Sequence, residues 1–558
     1  MNSELEAILS YHQDSKHNFK AYAPGPRFLE MSIKPDPFLN YKGAPLLKLK
    51  TWSEEDIESE LLPTYEQAFS PEKLGPSGLN RNSISQLFFD SFALSVWKKV
   101  GGTSWALRIN PSSGNLHPTE VYLLSGPVPE LLEKPAVCHY APLQHALELR
   151  AEFSPETWKK LSPGFPEGTF FIGLSSIYWR VAWKYGIRAF RYANHDLGHA
   201  IAALTFAAAG LGWRTCLLAD MGSEETGKLL GVSGRKGPEK EEPACLLAVY
   251  PAGKKCPSGK VASSVLADFE KLSWNGVPNR LSPAHVDWAG IEKAASATRK
   301  KETFHPDEKK PDLKPGRRAA GMSAEISGSG IRSDLEAVSL RSVIHRRRSA
   351  LEMNNSAYMD ENSFYGILRR TLPEKNPIFE TLASGPFAHL LLFVNRVKGL
   401  REGLYIFLRK AGEAEEFKAA FRPDFLWEKP ENCPYDLEFY LLMEEELHHF
   451  AAQLSCAQRK AEDSCFTACM LSEFEEPLKT SGSWMYSRLF WECGVLGQLL
   501  YLEAEARGFR GCGIGCFFDD PLHEALGLEG LEYQDLYHFA VGSPLQEIGV
   551  LTFPAYKK

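Results

Sequence analysis

The sequence predicts an α+β protein built as two tandem copies of one α/β unit, folded against each other as an intramolecular pseudo-dimer. Three observations carry this expectation. A chain of 558 residues is long enough for more than one domain and for large cores. Strand-like apolar runs accompany a long helical pattern in both halves. Residues 198–216 also align without a gap on residues 494–512, and the register continues to Leu230 against Leu526. Asp196 then faces Glu492, Ala248-Val249 matches Ala540-Val541, and Val137–Tyr140 corresponds to Leu404–Phe407. So long a period excludes a solenoid. Two fused copies of one fold give the single-chain version of a two-fold homodimer.

Composition shifts divide the chain into an N-terminal arm (1–62), a first domain (63–292), a flexible linker (293–334) and a second domain (335–558). The arm is rich in Pro, Lys and aromatic residues, shows little periodicity, and reads as an extended segment wrapping a domain. Residues 83–100 read as a helix before Gly101-Gly102. Val121–Leu124 reads as a buried strand, and Val137–Ala141 with His145–Leu149 as a hairpin. Phe170–Leu174 is a further strand. Arg180–Leu211 reads as one long helix whose second half is apolar nearly all round, so it belongs in the centre. Cys245–Tyr250 closes the unit as a buried strand. The linker is charged, broken by Pro and Gly, and poor in apolar residues.

Hydrophobic content of 44% with 24% charged residues is that of a soluble globular protein. The net charge of −7 argues against a nucleic-acid partner. No apolar run is long enough to span a bilayer, and residues 1–6 lack the pattern of a secretory signal. The 11 cysteines show no framework spacing, so reduced thiols in a cytoplasmic protein are expected. His195 and His199 imitate a zinc helix, but Asp196 stands where the base belongs and no third ligand is evident, so no metal is expected.

Three segments carry chemistry. Residues 108–120 (Arg-Ile-Asn-Pro-Ser-Ser-Gly-Asn-Leu-His-Pro-Thr-Glu) hold hydroxyls, an amide and an imidazole between two prolines that fix the backbone. A rigid polar loop feeding a core strand suits a ligand site, and the same residues suit an ordinary turn. Arg346–Ser349 sets three guanidiniums and a hydroxyl together, which suits bidentate phosphate binding or a solvated basic face. Residues 509–520 are rich in glycine, which lets a backbone approach a flat ligand or make a tight helix-to-strand connection. No glycine fingerprint follows a strand, so a Rossmann nicotinamide domain is absent.

In this order, and with the internal repeat, these segments resemble the FMN-dependent nitroreductase superfamily, and within it the SagB-type dehydrogenases that oxidise azolines to azoles in ribosomal peptides. The resemblance implies two nitroreductase-like three-layer units with FMN at their interface. Carried over, Arg346, Arg347, Arg348 and Ser349 would hold the phosphate and ribityl groups, and Arg488 and Trp491 would contact the flavin. Gly515 and Cys516 would bring a backbone N–H near flavin N5, while Pro111, Ser112, Ser113 and Asn115 would reach in from the first half. Lys184 and Tyr185 resemble the Lys-Tyr catalytic base of the azoline oxidases; a half-buried surface pair is the plainer reading.

The first copy lacks the Arg-Arg-Ser start and the glycine loop, and the second carries Glu380–Gly385 where its Pro-Ser-Ser loop would stand. The resemblance therefore implies that the two copies assemble one FMN site, not two. The implied activity is hydride transfer through the flavin to or from a small molecule or a peptide heterocycle, with NAD(P)H as donor in the reductase version. A monomeric pseudo-dimer without nucleic-acid or membrane partners is expected. The alternative is a catalytically degenerate flavin-fold protein that serves as a binding or scaffold partner.

Overall fold

The computed structural model describes residues 3–255, 263–301, 335–374 and 376–556, so most of the expected linker (302–334) lies outside the described residues. The first unit is an antiparallel sheet of seven strands in the order Leu46–Lys48, Ala146–Glu152, Ala136–Ala141, Thr119–Ser125, Phe170–Ser176, Glu242–Pro251 and Trp213–Leu217. The second has six strands in the order Glu438–Glu444, Gly403–Leu408, Ala388–Val394, Phe466–Glu473, Tyr533–Gly542 and Arg510–Ile514. From the second strand onward the two orders are the same. The register agrees as well: Ala248 pairs with Cys216, and Ala540 with Cys512. The repeat read from sequence is thus a repeat of fold.

Each sheet buries one face against a central helix, Ala189–Gly210 in the first copy and Met485–Ala506 in the second. Both helices are buried almost throughout, their polar residues included. They cross where each copy supplies a glycine. A Cβ on Gly198 would meet the Trp491 carbonyl at 2.1 Å, and one on Gly494 would meet the His195 carbonyl at 2.2 Å. Backbone therefore packs on backbone at the pseudo-two-fold axis, a contact that no other residue type permits.

Three sequence expectations are corrected. Residues 83–100 are not one helix: Arg81–Ser91 is helical behind an Asn80 capping box, and Leu94–Val100 is a strand paired with Thr103–Arg108. Val96, Trp97 and Val100 prefer the pleated conformation, and Gly101 (φ 55°) makes the turn. The expected helix Arg180–Leu211 breaks at Gly186 (φ 55°), where the Gly25 Cα would lie 2.5 Å from a Cβ, so the arm packs into the break. The arm itself begins with a helix, Ser3–Asp14, burying Leu5, Ile8 and His12 at helical spacing.

Both ends of the chain bind the copies together. His12 Nε2 pairs with Gln534 Oε1 at 2.9 Å while its carbonyl accepts from Arg191 at 2.7 Å. Buried Asp519 of the second copy accepts from Arg188 (2.8 Å) and Arg191 (2.5 Å) of the first. At the other end, Leu551–Pro554 adds an edge strand to the first copy's hairpin. No helix among the described residues is long and apolar enough to cross a membrane.

The helix crossing generates a prediction. Gly198→Ala or Gly494→Ala should each cost about 2–3 kcal/mol through overpacking. Gly102→Ala, where a Cβ meets nothing within 4 Å, should change stability by less than about 0.5 kcal/mol. Urea unfolding of the three variants checks this, and equal midpoints would refute the backbone contact.

Candidate functional site

A cavity of about 400 Å³ opens between the copies. Three segments meet there: residues 107–117 of the first copy, Arg347–Ser349, and Cys512–Cys516 of the second. Tyr185, Tyr192, Asp196 and His199 of the first copy and Tyr501 and Tyr537 of the second also line it.

The loop between the two prolines is held by its own side chains. Gly114, Asn115 and His117 all have positive φ (64°, 58° and 50°). Asn115 Nδ2 donates to the Ala106 carbonyl at 2.8 Å, and its Oδ1 accepts from His117 Nε2 at 2.8 Å. That contact puts the imidazole proton on Nε2 and leaves Nδ1 buried without a partner. Burial, aided by Arg108 and Arg180, keeps His117 neutral, far below the ordinary histidine range. The loop then latches onto the central helix: Ser112 Oγ donates to Asp196 at 2.6 Å, and the Ser113 N–H and Oγ donate at 2.9 and 3.0 Å. Burial pushes the Asp196 carboxyl up to about 7, against these three hydrogen bonds. The Ser112 hydroxyl, the Asn115 Oδ1 and one of the two Asn115 Nδ2 hydrogens are therefore spent on shaping the loop.

The second copy supplies the cationic end. Arg347 and Arg348 follow the short helix Leu340–Arg346. The Arg347 guanidinium lies 5.0 Å from the Tyr501 ring centroid and donates to the Arg108 carbonyl at 3.2 Å. Its Nε and Nη1 are buried with no partner. Burial holds Arg348 down to about 10, with Arg347 and Arg510 adding repulsion. Ser349 Oγ meets Tyr501 Oη at 2.8 Å. Arg346 is exposed and stands off the cavity wall.

The glycine loop approaches the wall for a different reason from the expected one. A Cβ on Gly513 would lie 2.0 Å from Tyr537 Oη, and one on Gly515 2.6 Å from the Tyr192 ring. These glycines are needed because tyrosines lie against the backbone.

Other expected site residues fall elsewhere. Arg488 and Trp491 line a separate cleft with Tyr178, Asn194 and Glu242; Trp491 Nε1 donates to Asn194 Oδ1 at 2.7 Å, and the Arg488 guanidinium sits 4.3 Å over the Trp491 ring. Helical rotation carries them past the cavity, which instead receives Tyr501, about three to four turns further on. Tyr185 reaches the cavity, packed against Gly114, whereas Lys184 is half-buried off the wall with Nζ 5.1 Å from the Tyr185 ring centroid. His195 donates to the Leu536 carbonyl and is packed off the cavity, whereas His199, which contacts Tyr537 Oη, stands in the cavity wall. Sequence reasoning missed Asp196 as a site residue, although its match with Glu492 marked it.

At the position related by the repeat, the corresponding space is closed. Thr205 is the counterpart of Tyr501, and it hydrogen bonds to Thr215 (2.8 Å), which bonds in turn to Thr381 (2.8 Å). Arg214 is neutralised by Glu380 (2.6 Å) and Glu72 (3.0 Å). Only about 100 Å³ remains.

The raised Asp196 carboxyl makes stability depend on pH. Its folded value lies above its unfolded one, so its stabilising contribution is complete below about pH 4 and is lost as pH rises through about 7. Asp196→Asn should therefore gain on the order of 2–4 kcal/mol relative to wild type between pH 4 and pH 8. Urea titrations at both pH values measure this, and parallel losses in the two proteins would contradict it.

The comparisons place this fold. The sequence model of the Nitroreductase family matches residues 103–254 and 406–543, together just over half of the chain. A solved nitroreductase-family structure from Anabaena variabilis superposes with a TM-score of 0.66 at 20% identity, over 97% of this chain and 99% of that one. Smaller structures align more weakly. One is the Escherichia coli microcin synthetase McbBCD complex with truncated pro-MccB17 bound (18% identity, 46% of this chain and 95% of that chain, TM-score 0.27). Another is a nitroreductase in complex with FMN from Exiguobacterium sibiricum (13% identity, 37% and 88%, TM-score 0.21). Among curated proteins, none matches the chain. The chain belongs to the nitroreductase family and carries the family's domain twice.

Proposed function

We propose that the chain is an FMN-dependent oxidoreductase with one composite flavin site, formed by the loop of the first copy and the arginines and glycine loop of the second. The observation that carries this reading is Arg347. A guanidinium buried at a cavity wall with two nitrogens unpartnered is costly unless an anion completes it, and a phosphate monoester supplies two oxygens in matching geometry. The donor set fits FMN. Arg347, Arg348 and Ser349 would take the phosphate and ribityl hydroxyls, and the cavity has the volume and aromatic walls of a ligand site.

When bound, FMN supplies two-electron hydride exchange at its N5 position. The chain's own residues do the rest. The loop at 111–117 is braced by Asp196 and fixes one edge of the cavity, and Gly515 and Cys516 would offer backbone N–H groups opposite. Asp196 holds or releases a proton at its carboxyl near neutral pH. Tyr185, at the wall, remains the candidate from the Lys-Tyr element, with Lys184 behind it. Two substrate classes follow from the family reading: the peptide heterocycles of the SagB-type resemblance, or small molecules reduced with NAD(P)H.

The closed second site favours one flavin per chain, and it also motivates the rival reading of a degenerate protein that binds partners without turnover. Absorption spectra decide between them. Reconstitution should give a yellow protein with close to one FMN per chain. A ratio near two, or no retained flavin, would defeat the proposal. Arg347→Met should weaken FMN binding by roughly 10- to 150-fold, the loss of one charge-assisted bond of about 1.5–3 kcal/mol, without lowering the unfolding midpoint of the flavin-free protein. Bleaching by NADH or NADPH would assign a reductase; indifference to both would assign a donor-independent oxidase.

A further inference from the structure

Between the glycine loop and the N-terminal arm lies a pair of cysteines whose thiols the flavin reading does not use, although it uses the backbone of Cys516. Cys516 Sγ and Cys456 Sγ are in hydrogen-bond contact at 2.7 Å. They come from opposite ends of the second copy's fold. Cys516 follows the edge strand Arg510–Ile514, and Cys456 follows the helix His448–Leu454. Cys456 and Ala457 both sit in the left-handed region (φ 54° and 56°), a conformation costing about 1–2 kcal/mol per non-glycine residue. That strain sets the Cys456 side chain against its partner. Both cysteines are partly exposed, and Cys516 borders the cavity.

The surroundings make the two thiols unequal. His17 of the arm accepts the Ala23 N–H at Nδ1 (2.8 Å), so its ring proton sits on Nε2, which is left to donate to Cys516. Arg188 of the first copy donates to the Gly515 carbonyl at 2.9 Å and brings a fixed positive charge, itself shared with Asp519. Tyr22 and Tyr192 face the pair as well. The Cys456 S–H, then His17 and Arg188, push the Cys516 thiol down to about 5, against burial, while Cys456 is pushed well up. A metal is the other use for one histidine and two cysteines. Sulfurs 2.7 Å apart are too close for it, because two thiolates each about 2.3 Å from a tetrahedral zinc stand roughly 3.7 Å apart. The protonated Nε2 is also not a ligand.

We infer that Cys456 and Cys516 form a redox-active dithiol that exchanges with small-molecule disulfides reaching the rim of the cavity. The Cys516 thiolate attacks one sulfur of R–S–S–R, a mixed disulfide forms, and RS⁻ leaves and takes a proton from solvent. Cys456 then gives up its S–H proton to solvent, and its sulfur attacks the Cys516 sulfur of the mixed disulfide. The second RS⁻ is expelled and the 456–516 disulfide closes, so two electrons pass from the pair to the external disulfide. An acidic nucleophile beside a partner of higher pKa is the arrangement this exchange requires.

The inference does not rest on FMN and is tested on the flavin-free full chain. After incubation with oxidised glutathione, non-reducing peptide mapping should find the 456–516 link. Equilibration against reduced and oxidised glutathione should give one two-electron transition. Iodoacetamide should alkylate Cys516 of the reduced protein with a midpoint below pH 7, and His17→Leu should raise that midpoint by about one unit while the link still forms. Failure to form the link, alkylation of Cys516 with the midpoint of a free thiol near about 8.5, or one bound zinc per chain that blocks both thiols would each overturn the inference.

Discussion

The close crossing of the two central helices at Gly198 and Gly494 fixes where everything else can be. With backbone on backbone at the axis, the residues one turn to either side have no freedom of placement. Asp196, two residues before Gly198, is brought under the Pro-Ser-Ser loop, and Glu492, two before Gly494, under the related segment, where it accepts the Phe387 N–H at 2.9 Å. Tyr501, seven residues after Gly494, reaches the cavity on the other side. The site is thus a consequence of helix apposition, and its distances depend on a contact that contains no functional side chain.

Within that symmetric frame the copies have diverged through charge and volume. Glu492 is paired with buried Arg409 at 2.6 Å, whereas Asp196 accepts only neutral donors, so burial acts on it without a compensating cation. Tyr501 in one copy is Thr205 in the other, and three threonines draw together in the space. At the glycine loop, Gly513, Gly515 and Cys516 stand where the first copy has Leu217, Ala219 and Asp220. A homodimer cannot specialise its two sites in this way, because each substitution appears in both. Fusion removes that constraint.

Much of this was legible in the sequence because the repeat preserved register: matching Cys216 with Cys512 fixed the strand pairing as well as the helix. The meeting of residues 111–115 with Arg347–Ser349 and Gly515-Cys516 followed from the resemblance to the family, not from local pattern. What failed was local inference overridden by tertiary contact. Gly186 reads as a tolerated glycine until the arm occupies its missing Cβ, and Leu94–Val100 continues a helical pattern until Thr103–Arg108 pairs with it. Ser112 and Asn115 have the right chemistry for a ligand, yet their hydrogen bonds close on Asp196, Ala106 and His117. Arg488 and Trp491 lie on the correct helix but on a face directed elsewhere. Cys456 could not be read at all, since its partner is 60 residues away and no short motif links them.

The N-terminal arm shows why an asymmetric fusion needs more than two copies of a domain. Its helix carries His12 into the seam, where Arg191 of one copy and Gln534 of the other meet, and its continuation delivers the His17 N–H to Asp519 at 2.9 Å. Asp519 already binds Arg188 and Arg191, which hold it well below the ordinary carboxylate range despite burial. One carboxylate therefore joins three parts of the chain. Such a buried cluster adds little net stability when it replaces apolar packing, but it is costly to leave half-made. Its effect here is to fix register: the arm docks where Arg188 and Arg191 stand, and the positions related to them in the second copy are Trp484 and Ser487, which offer no such cations. The same docking places His17 beside Cys516, so the arm belongs to the side of the molecule where the cavity remained open.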